Sequence, residues 1–168
     1  MSTHHDGWGV GEVQYRIPKV PVSIVLSLDG GVPLAGDVYL LPEAGRHDGR
    51  ERVVDLLTAP EPFLPLKTNE GTVLLSKSRI VLVRTGEIHD AGWNVEDLEG
   101  VPEVEAELTL AGQPNGHDRL VGTLRLDMPP GQQRLLDYVN ATSMFLPLLL
   151  EDGPALVARS FITALRQV

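Results

Sequence analysis

The strongest constraint on this chain is that part of it is written twice. Arg52-Val-Val-Asp-Leu-Leu-Thr-Ala-Pro-Glu-Pro-Phe-Leu-Pro-Leu66 recurs 82 residues later as Arg134-Leu-Leu-Asp-Tyr-Val-Asn-Ala-Thr-Ser-Met-Phe-Leu-Pro-Leu148. Without a gap, 7 of these 15 positions are identical: Arg52/Arg134, Asp55/Asp137, Ala59/Ala141 and the four residues of Phe63–Leu66/Phe145–Leu148. Over residues 52–84, matched with 134–166, 12 of 33 positions are identical, among them Gly71/Gly153, Leu74/Leu156, Ser78/Ser160 and Ile80/Ile162. The chain therefore reads as a tandem duplication. Whatever one copy folds into, the other is expected to fold into as well.

Each copy opens with a strand. Val22, Ile24, Leu26 and Leu28 alternate with Ser23, Val25 and Ser27, and Val104, Ala106, Leu108 and Leu110 match them at the same offset. A period of two is the mark of a half-buried strand. Asp29-Gly-Gly31 supplies a turn, and Leu34–Leu41 returns, with Gly36 marking a bulge or a close backbone approach. Leu120–Leu126 matches the return strand at an offset of 86, after a longer hairpin loop. Asp48 and Glu51 have the spacing of a capping box for a short helix carrying Val53, Val54, Leu56 and Leu57 on one face, which Pro60 and Pro62 stop. Phe63–Leu66 starts a third strand, and Pro65 places part of it at an edge or bulge. Further strand follows over Thr72–Leu75 and Arg79–Arg84, broken by Ser76–Ser78. Ile80–Val83 is apolar on both faces, so both faces are expected to be covered.

The organisation expected is a tail with a lead-in strand over residues 1–21, repeat 1 over 22–85, a connector over 86–103 and repeat 2 over 104–168. The fold class expected is α+β, mainly β: two tandem β-β-α-β-β repeats related by pseudo-twofold symmetry, with about eight strands and two helices in a small barrel or sandwich. The lead-in strand falls on Val13–Ile17. Gly7, Gly9 and Gly11 follow no strand and precede no Lys-Ser/Thr, so they read as tail rather than phosphate loop.

Charge narrows the function classes. Of the formal net charge of −9, −6 falls in the connector, which has six acids and no Lys or Arg. Nucleic-acid binding draws on clustered Lys and Arg, and no such cluster occurs, so nucleic acid is not an expected partner. The connector also carries Ile88, Trp93, Val95 and Leu98, so it is expected to pack partly on the repeats. The chain has no cysteine, which removes disulfides and thiolate chemistry. No signal peptide is recognisable at the N-terminus, and the longest apolar run, Met144–Leu150, is short of the ~20 residues of a spanning helix. A cytoplasmic protein with no membrane association is expected.

Residues that could carry chemistry are few. Asp55 and Asp137 could hold a metal or share a proton as a twofold pair. The competing reading pairs each with the arginine three residues earlier, Arg52 or Arg134. Four of the five histidines precede an aspartate: His5-Asp6, His47-Asp48, His89-Asp90 and His117-Asp118. These are not at matching positions, and turn chemistry explains their aspartates better than a metal hydrolase does. Ser78 and Ser160 match, with no recurring histidine and no Gly-x-Ser-x-Gly elbow, and read as turn caps. Phe63 and Phe145 match and read as core anchors. No catalytic, cofactor or metal residue is assigned.

The strand, Gly-containing turn and Leu-x-Gly-x-Val/Leu return strand of each repeat resemble the opening hairpin of Sm-like small barrels, over about 20 residues per repeat. That resemblance implies a small barrel. The basic and Asn-rich loops with which Sm-like proteins contact RNA have no counterpart here. The Arg-x-x-Asp to Phe-Leu-Pro-Leu stretch is similar to short bacterial β-rich domains and implies no activity. The function expected is a non-enzymatic protein-interaction or scaffold module, in contact with a protein partner through its loops, connector or free strand edges. Self-association is a further expectation, since a duplicated unit can retain its ancestor's self-contacting surface. The alternative is a regulatory sensor with a small-ligand pocket between the repeats, and the third reading is a metal-dependent enzyme using the paired carboxylates.

Overall fold

The computed structural model describes residues 17–114 and 116–168, so the lead-in strand, the N-terminal glycines and His5-Asp6 lie outside the described residues. The described chain is mainly β. Its strands are β1 (Val20–Leu28), β2 (Pro33–Leu40), β3 (Phe63–Thr68), β4 (Gly71–Ser76), β5 (Ile80–Thr85), β6 (Glu103–Leu110), β7 (Arg119–Arg125), β8 (Phe145–Leu150), β9 (Gly153–Ala158) and β10 (Ile162–Gln167). Helix α1 (Val53–Thr58) lies between β2 and β3, and α2 (Leu135–Ala141) between β7 and β8. The strands form one open antiparallel sheet in the order β10-β6-β7-β8-β9-β5-β1-β2-β3-β4.

Ten strands replace the eight expected because each chain break is a change of partner. A 3-10 turn at Lys77–Arg79 separates β4, which pairs with β3, from β5, which pairs with β1. Arg159–Phe161 does the same between β9 and β10. The turn is anchored on the end of the preceding helix. Lys77 Nζ donates to the carbonyls of Leu56 (2.7 Å) and Ala59 (3.1 Å), which have no partner within the helix. The matching Arg159 donates to the carbonyl of Thr142.

The twofold that the sequence suggests is not seen in the strand pairing among the described residues. Matched by sequence, β1 to β5 correspond to β6 to β10, and each set keeps the same spatial order: β5-β1-β2-β3-β4 beside β10-β6-β7-β8-β9. A twofold through a strand pair would join a strand to its own counterpart, and one along a closed sheet would pair β4 with β10 as well as β5 with β9. Here the join pairs β5 with β9, in the register Leu82↔Val157, Val83↔Leu156 and Arg84↔Ala155. These strands are not counterparts, so the join is head to tail. The sheet closes into no barrel among the described residues; β4 bonds only to β3, and β10 only to β6.

Two apolar clusters lie on either side of the join, and β5 and β9 serve both. Ile80, Val83, Leu156 and Ala158 belong to the first cluster, with Leu26, Leu40, Leu57 and Leu64. Val81, Leu82, Ala155 and Val157 belong to the second, with Leu108, Leu124 and Leu148. The two-faced apolarity of Ile80–Val83 thus has the covered surroundings it called for, and all four side chains are buried. The connector contributes Ala91 and Trp93 to the first cluster, while Val95 is exposed.

At Gly36 and Gly122 a neighbouring strand's backbone approaches too closely for a Cβ. A Cβ on Gly36 would sit 2.6 Å from the Lys67 carbonyl oxygen, and one on Gly122 would sit 2.8 Å from that of Leu149. The close approach expected at Gly36 is present, and no side chain fits in either place.

Candidate functional site

The densest polar group surrounds α1. Asp55, in its first turn, accepts from the Arg52 backbone N–H (2.9 Å), from Arg52 Nε (3.1 Å) and Nη2 (3.1 Å), and meets His47 Nε2 at 2.6 Å. Burial by itself would raise the Asp55 pKa; the guanidinium, imidazole and backbone bonds outweigh it and hold the carboxyl down at about 2. The His47 imidazole is pushed up from 6.5, first by its bond to the Asp48 carbonyl and then by Asp55. Above this pair, Arg50 forks onto Asp90 through Nη1–Oδ1 (2.7 Å) and Nη2–Oδ2 (3.0 Å). The Asp90 side chain is only 2% exposed, a fully desolvated carboxylate that requires such a partner. Asp90 therefore ties the connector to the loop before α1.

The second copy of this corner is simpler. Arg134 Nε donates to Asp137 (2.8 Å), but the Arg134 side chain is 78% exposed. Both duplicated aspartates are thus occupied by the arginine three residues earlier. The expected capping box at Asp48 and Glu51 is displaced. The helix starts after Arg52, so Asp55 performs that task, and Glu51 accepts the Leu41 N–H at the end of β2 instead (2.9 Å).

The remaining candidates scatter. His89 stands edge-on to His47 with ring centroids 6.1 Å apart, and His117 lies in the loop before β7. Among the described residues, no three His, Asp or Glu side chains gather as a metal site would require. Ser78 bonds to Ser76 across its turn (3.0 Å). Phe145 is the core anchor expected, at 2% exposure, but Phe63 is 54% exposed. Sequence alone could not separate them, because both begin the same Phe-Leu-Pro-Leu strand. Phe145 is covered because it stands at the join, within the first cluster.

Two of the concave surfaces run along strands of the sheet. A groove of about 440 Å³ between the halves is lined by Leu82, Arg84, His117, Arg119 and Leu120. A wider one, about 710 Å³, runs beside β4 and is lined by Leu34, Gly36, Lys67, Glu70 and Val73. The β4 edge itself presents Val73 (42% exposed) and Leu74 (66%) with no charge or proline in the strand. Such edges are normally blunted by lysine, proline or a bulge, since their unpaired N–H and C=O groups invite another strand.

No family model matches this chain, and no curated protein or solved structure matches it.

Proposed function

We propose that this chain is a non-enzymatic interaction module, a duplicated β-β-α-β-β-β unit joined head to tail, whose contact surfaces are the two free edges of its sheet. The observation that carries this reading is the β4 edge: a six-residue strand that is unpaired on its outer side among the described residues and exposes Leu74, Val73 and the neighbouring Phe63. A strand edge of this composition is a template for pairing with another chain. The polar corner at α1 supports the same reading, because its charged groups are spent on one another and on holding the connector.

A photo-crosslinking side chain at position 74, in cells that make the protein, tests this. Protein adducts are expected at 74 and not at the exposed connector residue Val95. Equal labelling at both positions, or none at 74, would contradict the reading.

A second reading, a sensor for a small anion, is favoured by Arg84, His117 and Arg119 lining the groove between the halves. A rise in Tm with inorganic phosphate that is lost in Arg119→Ala would support it. Arg84 is less available for such a role, since it already binds Asp152 (2.6 Å).

A further inference from the structure

The join between the halves is a worked example of how two of these units meet, and it leaves one unmatched edge of each kind at the ends of the sheet. β5 meets β9 in the middle. The counterpart of β9 is β4, and the counterpart of β5 is β10; these are the two edge strands. We propose that the partner of these edges is a second copy of this chain, with β4 of one molecule pairing with β10 of the next in the register of the internal join. This deepens the interaction-module reading and rests on it.

Three further features of the join recur on the free edges. The first is apolar. At the join, Leu156 faces Val83 across the strands and Phe145 begins the neighbouring strand, all buried. Their counterparts are Leu74 (66% exposed), Leu165 and Phe63 (54% exposed). Pairing β4 with β10 would set Leu74 opposite Leu165 and cover the exposed Leu74 and Phe63. The second is charge. Arg84 of β5 binds Asp152 in the turn before β9, with Nη1 at 2.6 and 2.5 Å from the two carboxylate oxygens. The counterpart of Arg84 is Arg166 on one edge, whose Nε already donates to Glu107 of β6 (3.0 Å) while its side chain stays 71% exposed, and that of Asp152 is Glu70 at the other. The edges are therefore complementary in charge in the same register. The third is shape. The groove beside β4 is lined by Leu34, Glu70 and Val73. At the join, Asp152 binds Arg84, Ala155 lies opposite Arg84, and Leu120 lines a groove with Leu82 and Arg84 of β5.

A head-to-tail contact between unlike edges generates rings when the rotation closes and filaments when it does not. It also has a signature that a symmetric contact lacks. Ala164→Lys and Leu74→Lys each place an exposed charge on one edge and leave the other intact. Sedimentation velocity and native mass spectrometry of the full chain are expected to give assemblies larger than one 18.3 kDa chain. Each variant alone is expected to run as a single chain, with the urea midpoint that the full chain shows when too dilute to assemble, because both positions are exposed. Mixed, the two variants are expected to form one heterodimer, since each supplies the edge the other lacks. Glu70→Arg is expected to weaken assembly at least tenfold, on the order of a lost interfacial charge pair, and Glu70→Gln to weaken it less.

A full chain that stays single at all concentrations would overturn the proposal. So would assemblies that survive both edge variants, or variants that self-pair but do not pair with each other. If the isolated chain is single while position 74 crosslinks to a different protein in cells, self-pairing falls and the interaction module stands. If position 74 captures nothing, both fall.

Discussion

β5 and β10 descend from the same stretch of sequence logic, as do β9 and β4, yet they live in opposite surroundings. In the middle of the sheet, Val81, Leu82 and Val83 of β5 and the four residues Ala155–Ala158 of β9 are all buried. At the ends, β10 has residues in the same positions with both faces open or half open, and β4 buries only Leu75. The composition has adapted in part: Val81 and Leu82 become Thr163 and Ala164 on β10. On β4, Thr72 and Ser76 stand for Pro154 and Ala158, but Leu74 keeps the leucine found at Leu156. The difference teaches that environment, not local pattern, decides what these strands bury, and that one edge keeps an exposed leucine.

The sharpest way to break this comparison is to place the same charge at both members of a pair. Leu156→Lys buries an ammonium between two apolar clusters and is expected to cost about 4 kcal/mol or more, enough to unfold a marginal domain. Leu74→Lys is expected to change chain stability by less than about 0.5 kcal/mol. Urea denaturation of the two variants measures both.

A smaller effect is expected at the hairpin glycines, which should behave alike because the same contact recurs. Gly36→Ala and Gly122→Ala each force a methyl into backbone and leucine side chain, at roughly 2–3 kcal/mol. Unequal losses in denaturation midpoint would say that the two halves carry unequal strain.

The α1 and α2 corners separate buried from exposed ion pairs. Asp90→Ala leaves Arg50 without its forked partner and is expected to cost about 3 kcal/mol, against less than about 1 kcal/mol for Asp137→Ala, whose arginine is largely solvated. Thermal unfolding of both variants orders them.

The smallest effect is in pH. Asp55 titrates at about 2 in the folded chain against 3.8 unfolded. Its contribution is therefore complete above pH 3.8 and is lost as the pH falls through that value toward 2, about 1 kcal/mol after solvent screening. His47 has the opposite sign. Its raised pKa stabilises the fold below pH 6.5 and that gain disappears as the pH rises through its folded value. Histidine NMR titration is expected to place His47 above 6.5, and Asp55→Asn to lower it.

Much of this architecture was legible in the sequence because its elements obey local rules. The alternation in Val22–Leu28 and Val104–Leu110, the helix stop at Pro60 and the tight place at Gly36 each follow from a period, a ring or a missing Cβ. The relation between the halves was not legible. Pseudo-twofold and head-to-tail joins use the same duplicated strands, and only long-range pairing distinguishes them. The turn at Lys77 was readable as a break but not as a change of partner, because its anchor is a helix carbonyl some 20 residues back. The Arg50–Asp90 fork was hidden for a similar reason: Asp90 sits in an acidic connector and looks solvated until Arg50, 40 residues earlier, is folded over it. The Arg–Asp pairs at three-residue spacing needed only one helix turn, and they were readable.

Hydrogen–deuterium exchange at low and high protein concentration tests the central claim most directly, that the ends of the sheet repeat its middle. Backbone amides of β5 and β9 are expected to be protected at both concentrations. Those of β4 and β10 are expected to exchange quickly when dilute and to gain protection when concentrated, with the gain lost in Leu74→Lys. Fast exchange in β5 and β9, or edge strands whose protection ignores concentration, would contradict the account.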